Sequence, residues 1–290
     1  MIMQVLRLLI PALAFVASAH AQITASLQMS KRTFVAGEPV MAIINITNHS
    51  GRDLEFSGSY GVSWLDFIVT GSQGHPMTPA RPPAFGKVTI PAGQSMARQI
   101  NLSTFFPLLS AGNFAVAGVV RMPGEIREGT ATNRAPFVLI PGHRYWTRKV
   151  GLPNQPGKTR EYRVLSASDA GKTNIYAQVI DDSTGLPVST FAIGEVLMSH
   201  HPMVSIDRNQ RMHVLYLATP SVWVHAIVNT DGKLVDRSLH ERGAQGNPKL
   251  MAYADGSIDV ANSVKFDPEA TQAVRRAVRK ISDRPAFLYE

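Results

Sequence analysis

The sequence predicts a mainly β chain. A two-sheet sandwich covers residues 22–142, an antiparallel blade-like β-meander covers residues 161–266, and an amphipathic helix with a short tail covers residues 267–290. Three observations predict it. Apolar and polar residues take turns from Ile23 to Val264, the period of strands buried on one side. Turn-forming Gly, Pro, Asn and Asp residues interrupt these runs at short intervals. Beyond Asp267 the apolar period lengthens to that of a helix.

Residues 1–21 read as a signal peptide outside the fold. Arg7 supplies a positive charge, Leu8 to Val16 is an apolar run, and Ala19-His20-Ala21 has the small-x-small form of a cleavage site. The run is shorter than the roughly 20 residues a membrane-spanning helix needs. A periplasmic or secreted protein is expected, with no transmembrane segment after export. The chain has no cysteine, so no disulfide framework or lipid-anchor cysteine is expected. Of 290 residues, 44% are hydrophobic, ample for a core without staples. The formal charge of +8 favours acidic partners or anionic envelope surfaces.

In the first part, Ile23, Ala25, Leu27 and Met29 line one face of a strand, and Val40, Ala42, Ile44 and Ile46 one face of the next. Asn48-His49-Ser50-Gly51 turns the chain. Short runs at Leu54–Phe56, Leu65–Val69, Val88–Ile90, Ile100–Leu102, Phe114–Val120 and Phe137–Leu139 follow. Seven or eight short strands in about 120 residues fit a sandwich. Within it, Phe34-Val-Ala-Gly37-Glu38-Pro39-Val40, Asn45-Ile-Thr-Asn48, Leu54-Glu-Phe56-Ser57-Gly58, Leu65-Asp-Phe67-Ile-Val69, Gly74 and Pro91-Ala92-Gly93-Gln94-Ser95 resemble the bacterial proteinase-inhibitor domain of the BsuPI type, an immunoglobulin-like module. The segment also resembles the sandwich modules of macroglobulin-type proteins. The resemblance implies an immunoglobulin-like fold for residues 23–142 and raises proteinase inhibition as one function; it assigns no inhibitory residue.

Residues 143–160 carry five basic residues, two prolines and two glycines, the composition of a connector. Tyr145 and Trp146 are expected to pack against a domain face. Beyond it the strands lengthen. Asp231-Gly232 and Asp255-Gly256 are hairpin signals. The turn aspartates Asp182, Asp207, Asp231 and Asp255 recur every 24 or 25 residues, one hairpin apart. Two such periods approach a propeller blade, yet the segment holds about two to two and a half blades, short of a closed ring. A partial propeller and a second sandwich both fit. At the C-terminus Asp267 caps, Pro268 suits the first turn, and Ala270, Ala273, Val274, Ala277, Val278 and Ile281 share one helix face. Arg275, Arg276, Arg279 and Lys280 form a basic ridge beside it, an anion-binding candidate for an acidic polymer; export argues against nucleic acid.

Histidine is the densest candidate chemistry. In a hairpin centred on residue 219, His213 and His225 lie across from each other and could share a metal, although spacing such as H-E-x-x-H is absent. Core histidines with one hydrogen bond are the alternative. Ser205-Ile-Asp207-Arg-Asn209 partly matches an Asp-box turn, with Asn209 in the left-handed position and Met212 where an aromatic residue is usual. Asp181, Asp182 and Asp66 are the paired-carboxylate candidates, with turn capping as the alternative. Tyr60, Trp64 and Trp223 could form an aromatic platform, Trp64 more readily a core residue. No nucleophile elbow, phosphate loop or dinucleotide fingerprint is present, and no cofactor is expected. The sequence therefore points to a non-catalytic binding protein of the bacterial envelope whose partner is a protein or glycan. Proteinase inhibition and hydrolysis of an envelope polymer are the alternatives.

Overall fold

The computed structural model describes residues 22–59, 61–125, 127–153, 155–169 and 171–268. The expected signal peptide, Tyr60, and the C-terminal helix from Glu269 on, with Arg275, Arg276, Arg279 and Lys280, lie outside the described residues. What is described is mainly β, built from several sheets with no closed barrel.

Ten strands form the N-terminal part: β1 (Ile23–Met29), β2 (Thr33–Val35), β3 (Met41–Asn48), β4 (Leu54–Phe56), β5 (Leu65–Thr70), β6 (Val88–Ile90), β7 (Ser95–Asn101), β8 (Gly112–Val120), β9 (Thr130–Ala131) and β10 (Ala135–Ile140). One sheet has the order β1-β3-β7. A second has the order β2-β10-β8-β5, with β9 on β8; β4 and β6 pair separately. Period-two burial is clearest in β3, where Ala42, Ile44 and Ile46 are buried and Asn45 is exposed. They meet Phe67, Val116 and Phe137 from the other sheet in one core. Each buried aliphatic or phenyl side chain contributes about 1.5–3 kcal/mol. Trp64 is a core residue, 2% exposed, tilted on Phe56, with its indole N–H donating to the Gly86 carbonyl at 3.1 Å. Gly118 lets the sheets approach: a Cβ there would sit 3.1 Å from Ile44 Cδ1 and 3.2 Å from Thr132 Cγ2.

The C-terminal part holds two consecutive four-stranded meanders. The first is β11 (His143–Leu152), β12 (Gln155–Asp169), β13 (Lys172–Asp181) and β14 (Pro187–Glu195), paired in chain order. Most of residues 143–160, expected as a connector, is therefore strand, within β11 and the start of β12: Arg144, Arg148, Lys149 and Lys158 lie at exposed positions, and Arg160 is half-buried against Asp181. Tyr145 and Trp146 do pack, against the core between the meanders. The second meander is β15 (Met203–Ile206), β16 (Met212–Leu217), β17 (Val222–Val228) and β18 (Leu234–Arg242). A hairpin of β19 (Lys249–Ala252) and β20 (Ile258–Ala261) follows, and β21 (Ser263–Lys265) pairs with the end of β18.

These sheets stack face to face. Tyr162, Val164, Ile175, Ala177 and Val179 from the first meander meet Val214, Tyr216, Val224 and Ala226 from the second. Tyr162 Oη, buried in this core, donates to the Gln210 carbonyl at 2.9 Å. The reverse face of the first meander meets the N-terminal part, where Leu165 and Tyr176 bury against Val35. Lys31 Nζ bridges Glu38 at 2.7 Å and Tyr176 Oη at 3.3 Å, and Gln178 Nε2 donates to the Ala36 carbonyl at 3.2 Å. The reverse face of the second meander buries Leu215, Leu217 and Trp223 against Leu250 and Val260 of the β19–β20 hairpin. Burial from both sides explains why β13 and β16 are apolar at successive positions rather than alternate ones.

Candidate functional site

The aspartate-bearing turns close β13–β14, β15–β16, β17–β18 and β19–β20, which is why they recur every two strands. Asp207 accepts hydrogen bonds at Oδ1 from the Asn209 and Arg211 amides, 2.9 and 2.8 Å away. Its role in the turn is structural, as the sequence implied, but the left-handed residue is Gln210, at φ 60°, and not Asn209. Met212 goes into the core. The adjacent turn docks here, with the Arg208 amide donating to the Gly256 carbonyl at 2.9 Å.

Strand register then places the histidines. β16 and β17 pair as Met212↔Val228, His213↔Ile227 and Leu215↔His225, a hairpin centred on Pro220. His213 and His225 are thus diagonal neighbours, not directly opposite as a centre at residue 219 requires. They still share the face turned toward the β19–β20 hairpin. His213 Nδ1 and His225 Nε2 are 3.0 Å apart, and His213 Nε2 is 3.3 Å from Asp207 Oδ2. A carboxylate only accepts, so His213 carries its proton on Nε2. His213 Nδ1 is then an acceptor, and His225 Nε2–H donates to it. The result is a directed chain, His225 to His213 to Asp207, with all three residues no more than 5% exposed.

Electrostatics agrees with this assignment. Burial pushes the His213 pKa below its ordinary value, against the pull of Asp207, so this contact is a hydrogen bond from a neutral imidazole to a carboxylate and not an ion pair. Burial, then the neighbouring His213 and His240, lowers His225 to about 4. Burial works against ionisation of Asp207, but the Arg211 amide and guanidinium and the His213 ring outweigh it and hold the carboxyl below the usual range. His240, on β18, continues the row: its ring lies 6.2 Å from that of His225, with Ser238 and Ser263 hydroxyls 3.0 Å from its two nitrogens.

Each ring nitrogen of His213 thus meets a protein group. Among the described residues, no group of three or more histidine and carboxylate side chains is arranged to hold a metal ion. His213 and His225 do come together, but as partners of each other. Sequence reasoning missed Asp207 as the third member and His240 as a neighbour. Asp207 follows Ser205 at the spacing that keeps one face, and Ser205 pairs with His213, so its proximity was readable. The place of His240 was not, because a bulge between Ile227 and Val228 resets the register of β18.

The carboxylate candidates go elsewhere. Asp181 binds Arg160 and Ser183; the Ser183 hydroxyl and amide, with Arg160, hold its pKa down at about 2. Asp182 binds Lys149 at 2.6 Å and Thr159 at 2.7 Å, and Asp66 lies 3.6 Å from Arg121. All three serve structural pairs. Trp223, expected as part of an exposed platform, is 3% exposed and opposes His240 in the sheet.

Trp223 nevertheless forms the floor of a concavity of about 370 Å³ at the end of the second meander away from the aspartate turns. His200, Ser221, Glu241, Arg242 and Asn247 supply its polar wall, and Leu217 and Pro220 complete the apolar floor. The His200 ring meets the indole edge-on at 5.4 Å, and His200 Nε2 lies 3.3 Å from Asn247 Nδ2. Among the described residues, one carboxylate, Glu241, lines this space.

No family model matches the chain, and no curated protein matches it. Among solved structures, the chain is similar to Spo0M, the sporulation control protein of Bacillus subtilis, at a TM-score of 0.27 and 10% identity over 60% of this chain and 91% of that one. A likeness at that level carries no argument about function.

Proposed function

We propose that the chain is a non-catalytic binding protein of the bacterial envelope, periplasmic or secreted, and that the Trp223 concavity holds a polar group of its ligand. The N-terminal part serves as an immunoglobulin-like module in this proposal, and the two meanders as a partial propeller that presents the concavity at one end. The observation that carries it is the contrast between the two histidine-bearing regions. The inner chain of Asp207, His213 and His225 is buried and its members are hydrogen-bonded to one another. The concavity, by contrast, turns His200, Ser221, Arg242 and Asn247 outward over an apolar floor. A few convergent polar groups on an apolar floor are the ordinary build of a ligand site. One lining carboxylate is fewer than polymer hydrolysis by paired carboxylates requires.

The ligand favoured by these groups is a neutral or acidic glycan segment, since donors outnumber the single carboxylate. The test is calorimetric titration of the chain with soluble envelope glycan fragments and with peptides from envelope proteins. Binding of a glycan fragment that weakens at least tenfold in the double variant Arg242→Ala, Asn247→Ala supports the proposal. Binding that persists unchanged in that variant moves the site elsewhere. Turnover of any fragment refutes the non-catalytic assignment.

A further inference from the structure

A second concavity, of about 380 Å³, lies where the N-terminal part meets the first meander. The N-terminal part supplies most of its lining, chiefly Arg81, in the long connection between β5 and β6, and Phe106 to Leu109, between β7 and β8. Pro187, the first residue of β14, lines it from the meander. The β2–β3 turn seats on β14 at this point. Gly37, at φ 87°, also lines the space, and a Cβ on it would sit 3.0 Å from both Pro187 Cγ and Thr190 Oγ1. The two parts are thus in direct contact where the concavity forms, and a ligand held there touches both.

The side chains around this space are mostly apolar. Phe106 and Leu108 are buried and belong to the sandwich core, while Pro107 and Leu109 remain exposed. The stretch is bonded within itself: the Leu108 amide donates to the Phe106 carbonyl at 2.9 Å and the Leu109 amide to the Pro107 carbonyl at 3.0 Å. Its shape is therefore set before anything binds, which lowers the ordering cost of binding. Among the described residues, Arg81 is the one charged side chain that lines the space. Two hydrogen bonds fix its position. The Ala80 amide donates to the Phe105 carbonyl at 2.7 Å, and Arg81 Nε to the Thr104 carbonyl at 2.6 Å. Nη1 and Nη2 form no hydrogen bond or ion pair among the described residues. These two nitrogens are a fork that matches the two oxygens of a carboxylate. A phosphate calls for more donors than one arginine, and the Leu108 and Leu109 amides are already spent inside their loop. A glycan would leave hydroxyls unpaired against Phe106, Leu108 and Leu109.

We infer that this seam is a second ligand site, for a small monocarboxylate with an unbranched apolar body, of the kind a medium-chain fatty acid presents. The carboxylate sits on Nη1 and Nη2 of Arg81, and the chain lies along Phe106, Leu108, Leu109 and Pro187. The site is independent of the Trp223 concavity, which belongs to the second meander and takes a polar group.

The probes are hexanoate, octanoate and octanol, titrated calorimetrically into the full chain at pH 7. Octanoate should bind saturably, and about fifteenfold more tightly than hexanoate, at ~0.8 kcal/mol for each of the two extra methylenes buried. Octanol, which lacks the carboxylate, should bind about tenfold more weakly than octanoate. Arg81→Gln should bring octanoate down to the level of octanol and leave octanol unchanged. Arg144→Gln, on β11 at the opposite edge of the first meander, should change neither. Arg81, Leu109 and Arg144 are exposed, so all the variants should keep the parental circular dichroism. Leu109→Asp should abolish octanoate binding by placing a carboxylate beside the apolar chain. Absence of saturable octanoate binding overturns the inference. So do equal losses in Arg81→Gln and Arg144→Gln, which would mean a diffuse attraction to surface cations, and undiminished binding in Leu109→Asp.

Discussion

Acid should weaken this fold through His225, and the size of the effect follows from its surroundings. The ring is 5% exposed, and burial with His213 and His240 nearby lowers its pKa from 6.5 to about 4. The unfolded chain therefore takes up a proton near pH 6.5 that the folded chain refuses until about pH 4. The sign follows: stability is complete above pH 6.5, falls as pH falls through that window, and levels off for this group below pH 4. A gap of about 2.5 between the two pKa values, at about 1.36 kcal/mol each, amounts to roughly 3 kcal/mol in full. By pH 5 about 2 kcal/mol of it is lost. That is a substantial part of the 5–15 kcal/mol that typically holds a domain. The assay is urea unfolding at pH 7 and pH 5 for the parent and for His225→Gln, whose amide keeps a donor toward His213 Nδ1 without a titrating ring. The parent should lose about 2 kcal/mol more than the variant between the two pH values. Histidine proton resonances followed from pH 8 to pH 4 identify the group directly. A His225 ring that titrates near 6.5, or equal acid losses in parent and variant, would refute the reasoning.

Two further substitutions probe the packing that positions the site. Tyr216 is fully buried between the meanders and donates to the Ile193 carbonyl at 2.6 Å, so Tyr216→Phe strands that acceptor. It should cost about 1–3 kcal/mol in urea unfolding at pH 7, and no loss would show that the sheets relax around the missing hydroxyl. Gly118→Val places a branched side chain where even a Cβ is 3.1 Å from Ile44 Cδ1. Overpacking of that kind should cost about 1–3 kcal/mol or more and lower the thermal midpoint, whereas a variant of parental stability would mean that the sandwich sheets separate freely at this point.

How much of this was legible in the sequence depends on whether a strand has one buried face or two. In β3 the alternation of Ala42, Ile44 and Ile46 with Ile43 and Asn45 names the inward face directly. In β16 every position is buried, and Met212-His-Val-Leu-Tyr-Leu217 says only that something lies on each side. The connector expected at residues 143–160 failed for a related reason. β11 and much of β12 project charge into water, and a half-exposed strand with proline and glycine has the composition of a loop.

Register is the second limit, and it affects partners more than faces. Moving the centre of a hairpin from residue 219 to residue 220 shifts the pairing by two residues, which is one full side-chain period. His213 and His225 therefore stay on the same face under either register, and only their opposite numbers change, to Ile227 and Leu215. That is why the contact between the two imidazoles could be foreseen while its geometry could not. The bulge at Ile227 and Val228 adds a single residue, and an odd shift exchanges faces. The position of His240 beside Trp223 rests on that one insertion, so the boundary between the sealed histidine row and the open concavity is fixed by local backbone irregularity and not by hydrophobic pattern.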